Sequence, residues 1–249
     1  MQRDSIAIAV IGDEILNGGT RDGNSYWLVQ KLVELGAEVG IIYVLPDKMD
    51  VLVPKLRELM QEYHAVITTG GIGPTHDDMT REAVAEACGR NLVLNQEASD
   101  MIGAAHKGEL TEVRLRMAHL PEGCTLIGNV QTGAPGFHVD NVYVFPGIPS
   151  LLYAMFEEVA EEFRGRHFFK KSIRVDAGES KFANTLSEAQ EKYPEVAIGS
   201  YPKYEEKTWV EVRLRSRDEE KLKQCCDWLQ PRLTEIEEHC RIADKKKED

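Results

Sequence analysis

No apolar run in this chain approaches the roughly 20 residues that a bilayer-spanning helix needs, so no such helix is expected. Cysteine is scarce. The five residues Cys88, Cys124, Cys225, Cys226 and Cys240 never fall at C-x-x-C spacing. That pattern excludes the usual zinc frameworks, and the odd count points to reduced thiols instead of a disulfide scaffold. Cations are short: 30 Lys and Arg stand against 42 Asp and Glu, a net charge of −12. Such a balance argues against a duplex nucleic-acid binder, which carries a basic face. The opening residues run into a strand pattern with no secretory-leader core, so the expected compartment is the cytoplasm. Internal repeats are absent. So are a GxxxxGK[ST] loop, a GxGxxG fingerprint, a Ser-His-Asp arrangement and, around Ser150, a G-x-S-x-G elbow.

What is present is the texture of a globular chain, 42% hydrophobic and 29% charged over 249 residues. The run Ile6-Ala7-Ile8-Ala9-Val10-Ile11 reads as a strand buried on both faces. A helix capped at Asn24 or Ser25 follows and stops at Gly36. Then come a strand over residues 39–45, a helix over 51–63 with Pro54 in its first turn, and a third strand, Ala65-Val66-Ile67. Residues 95–117 read as helix broken near Gly108, and 119–136 as loop. Asp140-Asn141 marks a hairpin turn, and a helix follows Pro149. This alternation predicts α/β architecture: a mostly parallel sheet between helical layers, over residues 1–166. Residues 167–249 change to a β-α-β-β-α order with an amphipathic helix over 218–237, which predicts a small C-terminal α+β domain and a frayed tail.

The informative segment is Gly70-Gly71-Ile72-Gly73-Pro74-Thr75-His76-Asp77-Asp78. It lies between a strand and a helix. Its glycines allow positive φ and close approach to a ligand, and its amides form an anion site at a helix start. Asp77 and Asp78 place carboxylates where a metal or a ligand hydroxyl can sit. Helix starts also favour acids, so one of the two can be purely structural. Gly12-Asp13-Glu14 brings further acids to the carboxyl edge of the sheet, where open α/β sheets bind ligands. Asp22 and Asn24 are candidates for ribose or pterin hydroxyls. The stretch from Asn129 to Phe137, with Gly133 and Pro135, and Pro146-Gly147-Ile148-Pro149 supply walls for a ring and a phosphate.

These motifs, in this order over about residues 4–165, resemble the molybdopterin-binding-like domain of the CinA family. Its fold is shared with the molybdenum-cofactor proteins MoaB and MogA. Residues 199–202 (Gly-Ser-Tyr-Pro) are similar to the matching region of the N-terminal domain of eukaryotic-type FAD synthases. The resemblance implies a MogA/MoaB-like three-layer α/β/α fold. It implies metal-dependent hydrolysis of nucleotide pyrophosphates of the FAD or ADP-ribose type, releasing AMP. By matching the acids that face the pterin, it reaches Asp78 and Asp47. The loop departs from the GGTG of MoaB and MogA, with Ile72 in place of threonine and His76 before the acids where arginine stands. No sequence like a PAPS-reductase-like domain or an amidohydrolase domain is seen, so FAD synthesis is not expected.

The site expected from these readings has Asp78, Asp77 and Glu14 as catalytic residues. Asp13, Asp77 and Asp78 are the expected metal ligands. Gly70, Gly71, Gly73, Thr75, His76, Asp47, Asp22, Asn24, Gly133, Pro135 and Gly147 are the expected substrate contacts. The implied cofactor is Mg, Mn, Co or Ni, with potassium as a further candidate, and the implied assembly is a homo-oligomer (dimer or trimer). Alternatives are a molybdopterin- or nucleotide-binding protein without turnover, and a non-catalytic assembly module on the same scaffold. On the catalytic reading, Asp78→Ala removes turnover and leaves the melting temperature nearly unchanged.

Overall fold

The first apolar run becomes β1 (Ser5–Ile11), buried at every position because strands flank it on both edges and helices cover both faces. A computed structural model describes residues 5–128, 132–204 and 208–248. After β1 the chain forms a one-turn helix α1 (Asp13–Leu16), α2 (Asn24–Glu34), β2 (Glu38–Leu45), α3 (Met49–Glu62), β3 (Ala65–Thr69) and α4 (Thr80–Ala87). Next come β4 (Leu92–Leu94), α5 (Gln96–Ala105), α6 (Glu112–Arg116), β5 (His119–Pro121), β6 (Thr125–Ile127), β7 (Gly136–Val139), β8 (Val142–Phe145) and α7 (Pro149–Val159). The main sheet has the order β2-β1-β3-β8-β7-β6. Its pairings are parallel from β2 through β8 and antiparallel from β8 to β6.

Alternation along β1 divides the interior into two layers. Ala7, Ala9 and Ile11 pack with Leu52 and Leu56 of α3 and Val84 of α4. Ile6, Ile8 and Val10 pack with Leu28 and Leu32 of α2 and Leu152 and Phe156 of α7. Each large side chain so buried contributes roughly 1.5–3 kcal/mol. The result is the three-layer, mostly parallel sheet that the sequence predicts.

A second compact unit starts at Arg166, the first ending at Gly165. It contains β9 (Phe169–Val175), α8 (Ala183–Lys192), β10 (Ala197–Tyr204), β11 (Thr208–Ser216) and α9 (Glu219–Glu248). The antiparallel sheet β10-β11-β9 sets Val210, Val212 and Leu214 against Leu222, Cys225, Leu229 and Leu233 of α9. Cys225 is therefore a core residue, and burial pushes its thiol up to about 11.

Three details differ from expectation. Residues 119–136 contain two three-residue strands, β5 and β6, too short for a period-2 signal and held by the burial of Leu120 and Ile127. Pro54 lies in the second turn of α3, because the helix begins at Met49. The break expected near Gly108 is present and separates two helices, with Lys107 and Gly108 both at positive φ. Helix α9 continues to Glu248, past the expected end at residue 237 and into the tail expected to fray. Residues Asn129, Val130 and Gln131, expected to help wall the site, lie outside the described residues.

The end of β3 lies so close to the end of its parallel neighbour β1 that no room is left beside Gly70. Its φ is +105°, and a Cβ there falls 2.0 Å from the Ile11 carbonyl oxygen. Gly70→Ala is expected to cost about 3 kcal/mol or more. Urea unfolding measures this, and a loss below about 1 kcal/mol contradicts the stated crowding.

Candidate functional site

Three loops meet at the carboxyl ends of β1, β3 and β8, and buried polar contacts join two of them. Gly70 donates its N–H to Phe145 O at 3.1 Å. Asn24 Nδ2 donates to Thr69 Oγ1 at 3.0 Å and to Gly147 O at 2.8 Å, and Thr69 Oγ1 donates to Pro146 O at 2.9 Å. Asn24 is thus a buried fastener of the β3 and β8 loops through Nδ2, while its Oδ1 is buried without a partner among the described residues. Asp22 is likewise committed: it accepts from the Ser25 amide at 3.0 Å and from the Ser25 hydroxyl, capping the start of α2.

The glycine loop is held from within. Asp78 accepts from Gly73 N at 2.8 Å, from Thr75 N at 2.9 Å and from the Thr75 hydroxyl. Thr80 donates its N–H to Gly71 O at 3.0 Å and its hydroxyl to Gly70 O at 2.8 Å. The Arg81 guanidinium donates to Ile72 O. Part of the expected anion nest is therefore filled by the chain's own carboxylate. The amides of Gly71 and Ile72 make no hydrogen bond among the described residues.

These amides border a cavity of about 630 Å³ lined by Glu14, residues 70–74, Asp78, His106, Met117, Thr132, Ala134, residues 146–149 and Leu151. Its lining combines the polar Glu14, Asp78 and His106 with the apolar Ile72, Pro74, Met117, Ile148 and Leu151. Of the expected contacts, Glu14, Gly70, Gly71, Gly73, Asp78 and Gly147 line it. Thr75 and His76 instead border a neighbouring cavity of about 550 Å³, together with Asp78. Gly133 sits behind the wall, where a Cβ would fall 2.5 Å from Met101 O, and Pro135 does not line the cavity, although Thr132 and Ala134 do. His106 was missed. It caps α5, and its Nδ1 lies 2.9 Å from the Ile102 carbonyl. A carbonyl only accepts, so Nδ1 bears the proton and Nε2 is left for a partner. Only the helix break at Gly108 could have drawn attention to it.

The acids divide into two groups. Asp47 lies directly behind Gly71, accepts from Asp13 N at 3.0 Å through Oδ2, and has Oδ1 buried without a partner. Burial raises its pKa above 3.8. The nearby charges of Asp13, Glu14 and Asp78 raise it further, against the lowering by the Asp13 amide. Asp77 belongs elsewhere. It is exposed beside His76, and the Thr75 hydroxyl and its own amide hold its carboxyl below the usual range. The expected metal set Asp13, Asp77 and Asp78 is not assembled, and no group of three or more His, Cys, Asp or Glu among the described residues is arranged to hold a metal. The charges of Asp13, Glu14 and Asp78 are near enough to Asp47 to oppose its ionisation.

Comparisons with known proteins agree with this architecture. Residues 7–165 match the family model described as a probable molybdopterin binding domain, and residues 167–238 match one described as the FAD synthase middle domain. The crystal structure of a protein CinA of unknown function from Thermoplasma acidophilum is similar at 30% identity and a TM-score of 0.61, covering 65% of this chain and 98% of that one. A protein from Archaeoglobus fulgidus is 34% identical over 216 residues, 87% of this chain and 92% of the relative. One from Thermococcus kodakarensis is 34% identical over 248 residues, 93% of this chain and 98% of the relative. Among the described residues no helix is long and apolar enough to cross a membrane.

Two consequences are measurable. Asp78 fastens the loop through three donors, so Asp78→Ala is expected to lower the melting temperature clearly, by about 2–4 kcal/mol in stability, contrary to the expectation from sequence. An unchanged melting temperature contradicts the fastening. For Asp47 the folded-state pKa is raised, so its ionisation subtracts from stability as pH rises from 3.8 through the raised value. Asp47→Asn is expected to melt higher than the parent at neutral pH, with the gap closing below about pH 4. A thermal-melt series across pH reads this, and a lower melting point for the variant at pH 7 contradicts it.

Proposed function

This chain belongs to the molybdopterin-binding-domain family, with a second part matching the FAD synthase middle domain, and from that membership and the site geometry we propose that it hydrolyses nucleotide pyrophosphates. The ligand class is FAD or ADP-ribose, and the product is AMP. One observation carries the reading: unpartnered main-chain amides at Gly71 and Ile72 lie beside Asp47, a carboxylate whose ionisation is opposed by burial and by Asp13, Glu14 and Asp78. Amides of that kind attract a phosphate, while the carboxylates repel it unless a cation lies between.

In this mechanism the Gly71 and Ile72 amides hold a phosphoryl oxygen and stabilise the charge that develops on it. Ile72, Pro74, Met117 and Ile148 enclose the ring and exclude water from that side. Asp47, whose Oδ1 has no partner, and its neighbour Asp13 are the carboxylates that would hold a divalent ion arriving on the phosphate oxygens; when bound, such an ion would polarise the phosphate and lower the pKa of water. Glu14 lines the cavity and takes the proton of the attacking water. The water oxygen bonds to the adenylyl phosphorus, the bridging P–O bond breaks, and the electron pair leaves on the distal phosphate. His106 Nε2 lines the same cavity and orients the diphosphate.

A second reading, binding of a nucleotide or pterin without turnover, is favoured by the Asp78 carboxylate, whose lone pairs are taken by Gly73 and Thr75. Incubation with FAD, ADP-ribose and NAD under Mg²⁺, Mn²⁺, Co²⁺ or Ni²⁺ separates the two. AMP release in at least one combination is expected, and its absence in all of them, with calorimetric binding retained, selects the binder. Glu14→Gln is expected to lower turnover about a hundredfold or more with ligand affinity little changed. Steady-state and binding measurements on that variant check the role, and an undiminished rate removes it.

A further inference from the structure

The 550 Å³ cavity beyond residues 75–78 is lined by His76, Arg81, Arg116 and His119, an unusual concentration of basic groups in a chain of net charge −12. Arg81 is only 3% exposed. It donates to Ile72 O, yet its Nε has no partner. A buried guanidinium with an unmade hydrogen bond is costly. Two acids also line the cavity. Asp78 accepts from the glycine loop and Glu82 has Oε2 buried without a partner; both remain negative, and the two guanidinium groups balance them. Arg116 is exposed and makes no ion pair or hydrogen bond among the described residues. His119 Nδ1 lies 2.9 Å from the Leu115 carbonyl, which makes it the donor and leaves Nε2 for another partner.

We propose that this cavity is a second anion site, one that takes a phosphomonoester group. Planar guanidinium donors match phosphate oxygens, and two methionines and Leu92 at the cavity wall accept an apolar carrier. The site is separate from the diphosphate cavity, where the donors are main-chain amides. It reaches that cavity through the shared Asp78. Phosphate bound here therefore sits on the far side of the turn from the cleaved bond, and a ligand with an additional phosphate group would be held at both places.

The test is an NMR titration of the full chain with inorganic phosphate, and separately with AMP, at constant ionic strength. His119 ring resonances report this cavity and His106 ring resonances report the other. A saturable His119 response is expected, weakened about tenfold in Arg116→Gln, with the His106 response the same in both proteins. Arg116 is exposed, so the variant should fold as the parent does. A silent His119, or one that responds equally in Arg116→Gln, overturns the inference. AMP release is read independently. A chain that shows the His119 response and releases no AMP keeps this site and loses the hydrolase reading, and the converse result does the opposite.

Discussion

The site rests on one short-range interaction, the return of the Asp78 carboxylate onto the amides of Gly73 and Thr75. A loop with three glycines in four residues has a large backbone entropy to lose. It is ordered by an anion that it carries in its own sequence. Because Asp78 satisfies the distal half of the loop, the proximal half, Gly71 and Ile72, keeps its N–H groups unpaired beside a cavity. The close approach of the β3 end to β1 then fixes where that half sits. Gly70 passes against the Ile11 carbonyl, and Asn24 ties Thr69 to the loop after β8. The anchors are all behind the loop and the donors are in front.

The same compactness brings acids together. Asp13, Glu14, Asp47 and Asp78 converge where the β1 and β2 ends meet the glycine loop, and burial and mutual repulsion make Asp47 reluctant to ionise. Proteins rarely retain such unfavourable charge for stability alone. On the proposed reading, a cation brought in with a phosphate would relieve the repulsion and join the acids to the amides. This is the physical link between the strain in the free chain and the chemistry proposed for it.

Much of the fold was legible from sequence because its signals are long. The β-branched run at residues 6–11, the glycine stops and the hairpin at Asp140-Asn141 each specify an element without tertiary help. What escaped was short or three-dimensional. Strands β5 and β6 have three residues each and owe their existence to neighbours. Within the site, residue types predicted the loop and its acids, but not their direction. Asp77 and Asp78 are adjacent in sequence, yet one faces solvent beside His76 while the other closes the loop. Asp22 and Asn24 read as ligand contacts because they are polar and near a sheet edge; the sequence did not show that Asp22 also accepts from Ser25 and that Asn24 Nδ2 ties two loops together. His106 carried no motif; only the packing of α5 brings it to the cavity.

The claim on which the functional account depends is that the Gly71 and Ile72 amides receive a phosphate. Amide NMR of the ¹⁵N-labelled chain, titrated with ADP-ribose in the presence of Mg²⁺, tests it directly. The account predicts saturable downfield shifts at Gly71 and Ile72, with the Gly73 and Thr75 amides still tied to Asp78. Unmoved Gly71 and Ile72 resonances in a chain that binds the ligand would contradict it.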